Sequence, residues 1–222
     1  MIDKRVSTCA EALSELRDGQ TILLGGFGEA GMPRNLIAAL LDNGARDLTV
    51  VTNNAGGDGT PIATLIWEKR ISKLVCSYPR SVDGANWVKQ RWQEGSFELE
   101  LVPQGTMSER MRAAGAGLGG FFTPTAGGTL LAEGKETRVI NGRVHVFEEP
   151  LPGDFALISA LRADRWGNLV YRKAARNFGP TMSAAATTTV VEVGEVVELG
   201  ELDPEHIVTP GIFVDKVVEV SA

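Results

Sequence analysis

Three glycines at Gly26, Gly28 and Gly31, inside "GGFGEAG" from Gly25 to Gly31, give the spacing G-x-G-x-x-G. Such a loop lets a backbone approach a pyrophosphate at a helix N-terminus. Dinucleotide chemistry also needs an acid about 20 residues further on to hold a ribose. Here the next apolar run ends in Asn53 and Asn54, and Asp58 lies beyond two more glycines. Pro33, two residues after the last glycine, delays the helix start relative to a dinucleotide fingerprint. A second near match, Gly134-Lys135 in "GGTLLAEGKE", has Glu136 where a phosphate loop needs Ser or Thr for magnesium, and no glycine five positions before Gly134. The remaining plain reading of Gly25 to Gly31 is a tight strand-to-helix turn, since turns use glycine for positive φ.

Other reactive residues are sparse. His145 and His206 have no G-x-S-x-G or H-E-x-x-H context. Cys9 and Cys76 form no C-x-x-C pair and read as small buried hydrophobes, and no metal site is expected from these four residues. Asn53 and Asn54 close a run that reads as a strand, the place where ligands of open α/β sheets collect, although an Asn pair before Ala55-Gly56-Gly57 also suits a turn. Gln104 in "VPQGT" stands between an apolar run and a helical segment, as a site residue or a cap.

Placing a glycine loop requires a strand before it and a helix after it, and the pattern supplies both. "TILL" is apolar, and "PRNLIAALLDNG" opens on Pro33 and stops on Asn43-Gly44. "STCAEALSEL" carries a capping box, Thr8 with Glu11, and apolar Leu13 and Leu16 at helical spacing. The runs "DLTVVTNN", "ISKLVCSY" and "ELELVP" each precede a helical segment. Four strand-then-helix units imply crossovers and an α/β fold: an open, mostly parallel β-sheet with covering helices. Beyond about residue 120, "GGFFTPTAGG" reads as a packed loop, Asn141-Gly142 as the turn of a β-hairpin insertion, and "DFALISAL", "NLVYR", "TTTVVEV" and "GIFVDKVVEV" as strands extending the sheet.

The chain has 222 residues, is 43% hydrophobic, and shows neither an internal repeat nor a dividing linker, so residues 1–222 are read as one domain. A net charge of -6 and the lack of any five-residue basic run disfavour nucleic acid as a partner. Without an apolar leader at "MIDKRVSTCAEALSEL", or an uninterrupted apolar run of about 18 residues, a cytoplasmic protein off the membrane is expected. Two isolated cysteines suit a reducing compartment.

The stretch "DGQTILLGGFGEAGMP", Asp18 to Pro33, resembles the signature of the first of the two subunits of family I CoA-transferases: Asp-Gly, an apolar triplet, Gly-Gly-Phe, then a spaced Gly and Pro. Further stretches resemble these subunits in the same order, among them "DLTVVTNNAG", "LELVPQGTMSERMRAAGAG", "DRWGNLVYRKAARNFGP" and "ELDPEHIVTPGIFV". The texture is nearest the branch acting on 3-oxoadipate. This resemblance implies an enzyme that moves CoA between carboxylic acids by ping-pong chemistry, with CoA as a substrate and no permanently bound cofactor. It implies that the nucleophilic Glu belongs to a separate B subunit, in a Ser-Glu-Asn-Gly segment. Ser14-Glu15 continues with Leu16 and Ser108-Glu109 with Arg110, so neither pair matches and no catalytic residue is assigned to this chain.

An A2B2 heterotetramer is implied as well. Gly25, Gly26, Phe27, Gly28, Glu29, Ala30 and Gly31 are expected along the CoA thioester, and Asn54, Arg80 and Gln104 at the acid substrate. Arg80 could clamp the distal carboxylate that 3-oxoadipate has and acetoacetate lacks, or could be a surface residue. Arg172, Lys173 and Arg176 could face CoA phosphates or a subunit interface. The alternatives are transfer to acetoacetate and, in another class, a non-catalytic metabolite-binding regulator.

Overall fold

The computed structural model describes residues 2–79 and 87–220. Alternation of strand and helix governs the first half: β1 (Arg5–Val6), α1 (Cys9–Ala12), β2 (Thr21–Leu24), α2 (Arg34–Asn43), β3 (Leu48–Asn54), α3 (Pro61–Trp67), β4 (Ile71–Tyr78), α4 (Trp87–Gln93), β5 (Glu98–Leu101) and α5 (Gln104–Gly115). After these come β6 (Phe121–Thr123), β7 (Thr137–Ile140), β8 (Arg143–Glu148), β9 (Gly153–Asp164), β10 (Leu169–Val170), α6 (Gly179–Ala185), β11 (Ala186–Val197) and β12 (Lys216–Glu219).

The main sheet runs β1-β12-β11-β9-β2-β3-β4-β5, with every neighbouring pair parallel and β10 added antiparallel to β9. Helices cover both faces, which explains why the central strands read as unbroken apolar runs and not as alternating ones. On one face Leu24, Val50 and Leu74 pack with Leu36 and Ile37 of α2 and Leu65 of α3. On the other Leu23, Val51 and Val75 pack with Met107 and Met111 of α5 and Met182 of α6. The strand order moves outward from β2 through β5 and, on its other side, through β9, β11 and β12. That reversal beside β2 is a switch point, the position where open α/β sheets hold ligands beyond the carboxyl ends of their strands.

Several local expectations change. The Thr8 hydroxyl accepts the Glu11 amide at 3.0 Å as a cap should, but α1 has only four residues; Leu13 and Leu16 are buried in the turn that follows it. The Glu11 carboxylate takes the amide of Ser7 at 2.9 Å, one residue before the cap. Within the expected loop "GGFFTPTAGG", β6 pairs with β8 beside the hairpin formed by β7 and β8 about Asn141-Gly142, giving a three-stranded antiparallel sheet. Gly211–Phe213 forms a 3-10 turn, so the last strand starts only at Lys216.

Charged groups fasten this small sheet to the main body. Arg110 of α5 is buried; its guanidinium donates to Glu100 of β5 at 2.7 Å and to the Glu149 carbonyl at 2.8 Å, and lies 3.9 Å from the carboxylate of Glu148. Glu148, only 2% exposed, also receives Lys135 at 2.7 Å. Lys73 of β4 extends the chain of charges to Glu98 and Glu100. Burial raises the Glu100 pKa, but hydrogen bonds from Lys73 and Arg110 outweigh it and hold the carboxyl below its ordinary range.

Candidate active site

The glycine loop leaves β2 beside β9, at the switch point, with the Gly25 amide bonded to the Leu157 carbonyl at 2.9 Å. Phe27 and Ala30 exchange backbone hydrogen bonds of 3.0 and 3.1 Å, closing a tight turn with Gly28 at φ +58°. Positive φ at the first central position is what this kind of turn asks of glycine. Phe27 is half exposed at the tip, and Glu29 forms an ion pair with Arg34 at the start of α2. Gly31, at φ +67°, has no room for a Cβ, which would meet the Ala175 carbonyl and the Asn177 amide group.

Four of the loop's seven amides are therefore engaged: Gly25 by Leu157, Gly26 by the side chain of Asn177 at 3.1 Å, and Phe27 and Ala30 by each other. Among the described residues the amides of Gly28, Glu29 and Gly31 bond to no protein acceptor. These three remain available to an oxygen on which negative charge develops.

The helix that follows cannot receive a phosphate at its N-terminus, because Glu192 already occupies it. This residue of β11, 5% exposed, accepts the Leu36 amide at 2.9 Å and the Asn35 side chain at 3.4 Å. Pro33 offers no side-chain cap of its own. Burial pushes the Glu192 carboxyl above its ordinary range, opposed by the amides of Leu36, Asn35 and Arg34. An internal carboxylate thus does what a pyrophosphate does in a dinucleotide fold.

At the carboxyl ends of β3, β4 and β5 a second cluster forms. Asn53 is 6% exposed, and its side-chain Oδ1 accepts Gln104 Nε2 and Ser77 Oγ, each at 2.8 Å. Gln104 begins α5, and its side chain turns back onto β3 without capping its own helix. Asn54 lies one residue on, facing the other side of the sheet, and its Oδ1 accepts the Gly56 amide at 3.1 Å. That is the turn-closing role, and it leaves the Asn54 Nδ2 group outside the turn. Arg80 lies outside the described residues.

Arg172, Lys173 and Arg176 are exposed on the segment around the 3-10 turn Lys173–Arg176 that presses on the glycine loop. Glu15 sits beyond the short α1, not within it, 70% exposed and 3.5 Å from Lys216; Glu109 pairs with Arg112 on the outside of α5. Neither has the surroundings of an activated nucleophile. His145 bonds the Arg143 carbonyl, and His206 pairs with Asp203 in a 3-10 turn. Cys76 is a core residue whose thiol burial pushes up to about 12, whereas Cys9 is only half-buried. No group of three or more His, Cys, Asp or Glu side chains among the described residues could hold a metal ion. No helix among them is long and apolar enough to cross a membrane.

Residues 6–220 match the family described as coenzyme A transferase. The chain belongs to the coenzyme A transferase family. Over 221 residues it is 57% identical to the A subunit of the 3-oxoadipate CoA-transferase of Pseudomonas putida, covering 100% of this chain and 95% of that one. The A subunit of a probable succinyl-CoA:3-ketoacid coenzyme A transferase of Bacillus subtilis is 47% identical over 216 residues, covering 97% and 89%. Among solved structures, an acyl-CoA transferase from E. coli O157:H7 in thioester complex with CoA superposes with a TM-score of 0.84 at 20% identity, over 98% of this chain. This chain spans 47% of the length of that one.

The CoA-transferase chain is therefore of the A type and part of an enzyme, with CoA as a substrate of its family; the reading as a non-catalytic regulator is set aside. The designation of its relatives as A subunits implies a B counterpart. Asn177 lies inside the stretch "DRWGNLVYRKAARNFGP" but is not singled out there, Glu192 lies in no site motif, and of the Asn pair only Asn54 is expected at the substrate. Strand periodicity could have separated Asn53 from Asn54, since a one-residue step changes the face. The acid at position 192, set in the apolar run "TTTVVEV", is the kind of buried polar group that demands a partner.

Proposed function

We propose that this chain, together with a B subunit in an A2B2 assembly, transfers CoA from succinyl-CoA to 3-oxoadipate, a step of aromatic catabolism through the β-ketoadipate pathway. The observation that carries this reading is the 57% identity, end to end, with an A subunit of that activity. In the proposed sequence a Glu carboxylate on the B chain attacks the thioester carbonyl. The C–S bond breaks, leaving an acyl anhydride on the enzyme and a CoA thiolate. The thiolate then attacks the glutamyl carbonyl, releasing succinate and leaving a glutamyl-CoA thioester. A carboxylate of 3-oxoadipate repeats the two steps in reverse, and no net proton is exchanged.

Residues 1–222 act in this scheme as one domain that shapes the acid side of the cleft. The amides of Gly28, Glu29 and Gly31 stabilise the oxyanion at each attack. Gln104, steadied by Asn53, and the amide group of Asn54, which donates to no acceptor among the described residues, hold the substrate carboxylate. Arg80, two residues past β4, pairs with the distal carboxylate of 3-oxoadipate through a forked, charge-assisted contact. The 47% identical relative from Bacillus subtilis favours a second reading, with a 3-oxo acid such as acetoacetate as acceptor.

Transfer from succinyl-CoA to each acceptor, measured with this chain alone and with its B counterpart, separates these readings. Activity in the pair alone, favouring 3-oxoadipate, is expected. Preference for acetoacetate transfers the assignment to the second reading, and failure of every pairing with both acceptors overturns both.

A further inference from the structure

Asn177 holds its backbone at φ +32° and ψ -122°, a combination outside the left-handed region that Asn tolerates and close to one reserved for glycine in tight turns. A non-glycine residue persists there only where its surroundings over-determine it, and such residues gather at functional sites. The surroundings here are a set of hydrogen bonds that the side chain makes in two directions. Its Oδ1 accepts the amides of Gly26 at 3.1 Å and Phe178 at 2.6 Å. Its Nδ2 donates to the carbonyls of Ala30 at 3.2 Å and Ala175 at 2.7 Å.

Two of those bonds join one side-chain amide to both ends of the glycine turn, across 151 and 147 residues of sequence. Gly26 precedes Phe27 and Ala30 closes the turn, so Asn177 grips the segment that presents the unbonded amides of Gly28, Glu29 and Gly31. Close packing of the Ala175 carbonyl against Gly31 fixes the third side. No other side chain among the described residues bonds to the amides or carbonyls of residues 25–31.

We propose that Asn177 is a positioning residue for CoA transfer: it strains its own backbone to lock the glycine turn in the orientation that stabilises the oxyanion. This rests on the transfer reading above. Because the loop amides act as charge develops and not when substrate binds, disturbing the lock lowers kcat and spares KM.

Asn177→Gly and Asn177→Asp test it in the complex with the B chain. Glycine suits the backbone conformation but removes all four side-chain bonds; aspartate keeps the acceptor for Gly26 and Phe178 but loses both donors. Asn177→Gly is expected to keep the melting temperature of the complex within a few degrees while kcat falls tenfold or more and KM for succinyl-CoA changes less than threefold. Asn177→Asp should fall between it and the wild type. Wild-type kcat in Asn177→Gly overturns the proposal. So does a loss carried by KM, or the failure of both variants to assemble, which would make Asn177 a folding residue. A wild-type pair that transfers no CoA to either acceptor overturns the transfer reading itself, and this inference with it.

Discussion

Replacing Glu192 separates its role as a helix cap from its charge. Glu192→Ala strips the cap from α2, leaving the buried Leu36 amide without its 2.9 Å acceptor. Loss of a capping group costs about 1–2 kcal/mol, and removal of a buried methylene adds about 0.8 kcal/mol, so the change should cost roughly 2–3 kcal/mol. Glu192→Gln keeps the length and one carbonyl oxygen for Leu36 while removing the charge that burial penalises. It should stay within about 1 kcal/mol of the wild type at pH 7, since a charge taken out of water is itself costly. The pH dependence has a definite sign. The folded carboxyl titrates above its ordinary value of 4.5, so its stabilising contribution is complete below that value and lost as pH rises through the folded pKa. Between pH 7 and about 4.5 the wild type should therefore gain on Glu192→Gln as the solution is acidified. Urea midpoints of the complex, taken at fixed protein concentration at several pH values, measure both effects. Equal stability of the Ala and Gln variants would refute the capping role, and a wild type that loses ground to Gln on acidification would refute the burial argument.

Gly31→Ala should lower activity at least tenfold and reduce the melting temperature, because the added Cβ meets the Ala175 carbonyl at φ +67°; full activity would show that the loop and the Ala175 segment move apart freely. Arg110→Met should cost about 1–3 kcal/mol by taking a buried donor from Glu100 and from the Glu149 carbonyl, while Lys73 and Lys135 keep Glu100 and Glu148 paired; an unchanged urea midpoint would contradict that role. Glu100, whose pKa is depressed, adds stability above its ordinary value of 4.5 that is lost as pH falls through its folded pKa, so stability in the wild type should drop more steeply below pH 4.5 than in Glu100→Gln. Arg80→Ala should reduce kcat/KM for 3-oxoadipate far more than for acetoacetate, and equal losses on both acceptors would remove Arg80 from substrate selection.

What could be read in the sequence was local. The apolar run "TILL", the glycines after it and Pro33 define strand, loop and helix within a few residues, because strand burial, turn φ and helix entry are each encoded next to one another. Asn141-Gly142 fixed its hairpin for the same reason. Hidden features depend on contacts between distant parts of the chain. Glu192 reaches α2 across 156 residues, and Asn177 reaches Gly26 across 151. Arg110 stands among other charges in "TMSERMRAAGAG", and its partners Glu148 and Glu149, at the end of β8, come from up to 39 residues further along the chain. Gln104 and Asn53 show the intermediate case: both strand ends were recognisable, but their pairing needed the parallel order β3-β4-β5.

The division of labour between two chains is tested most directly by intact mass analysis of both after the assembled enzyme is mixed with succinyl-CoA and no acceptor. A CoA thioester on a glutamate of the B chain, with this chain unmodified, is the predicted result. CoA carried on Glu15, Glu109 or any other glutamate of this chain would contradict it.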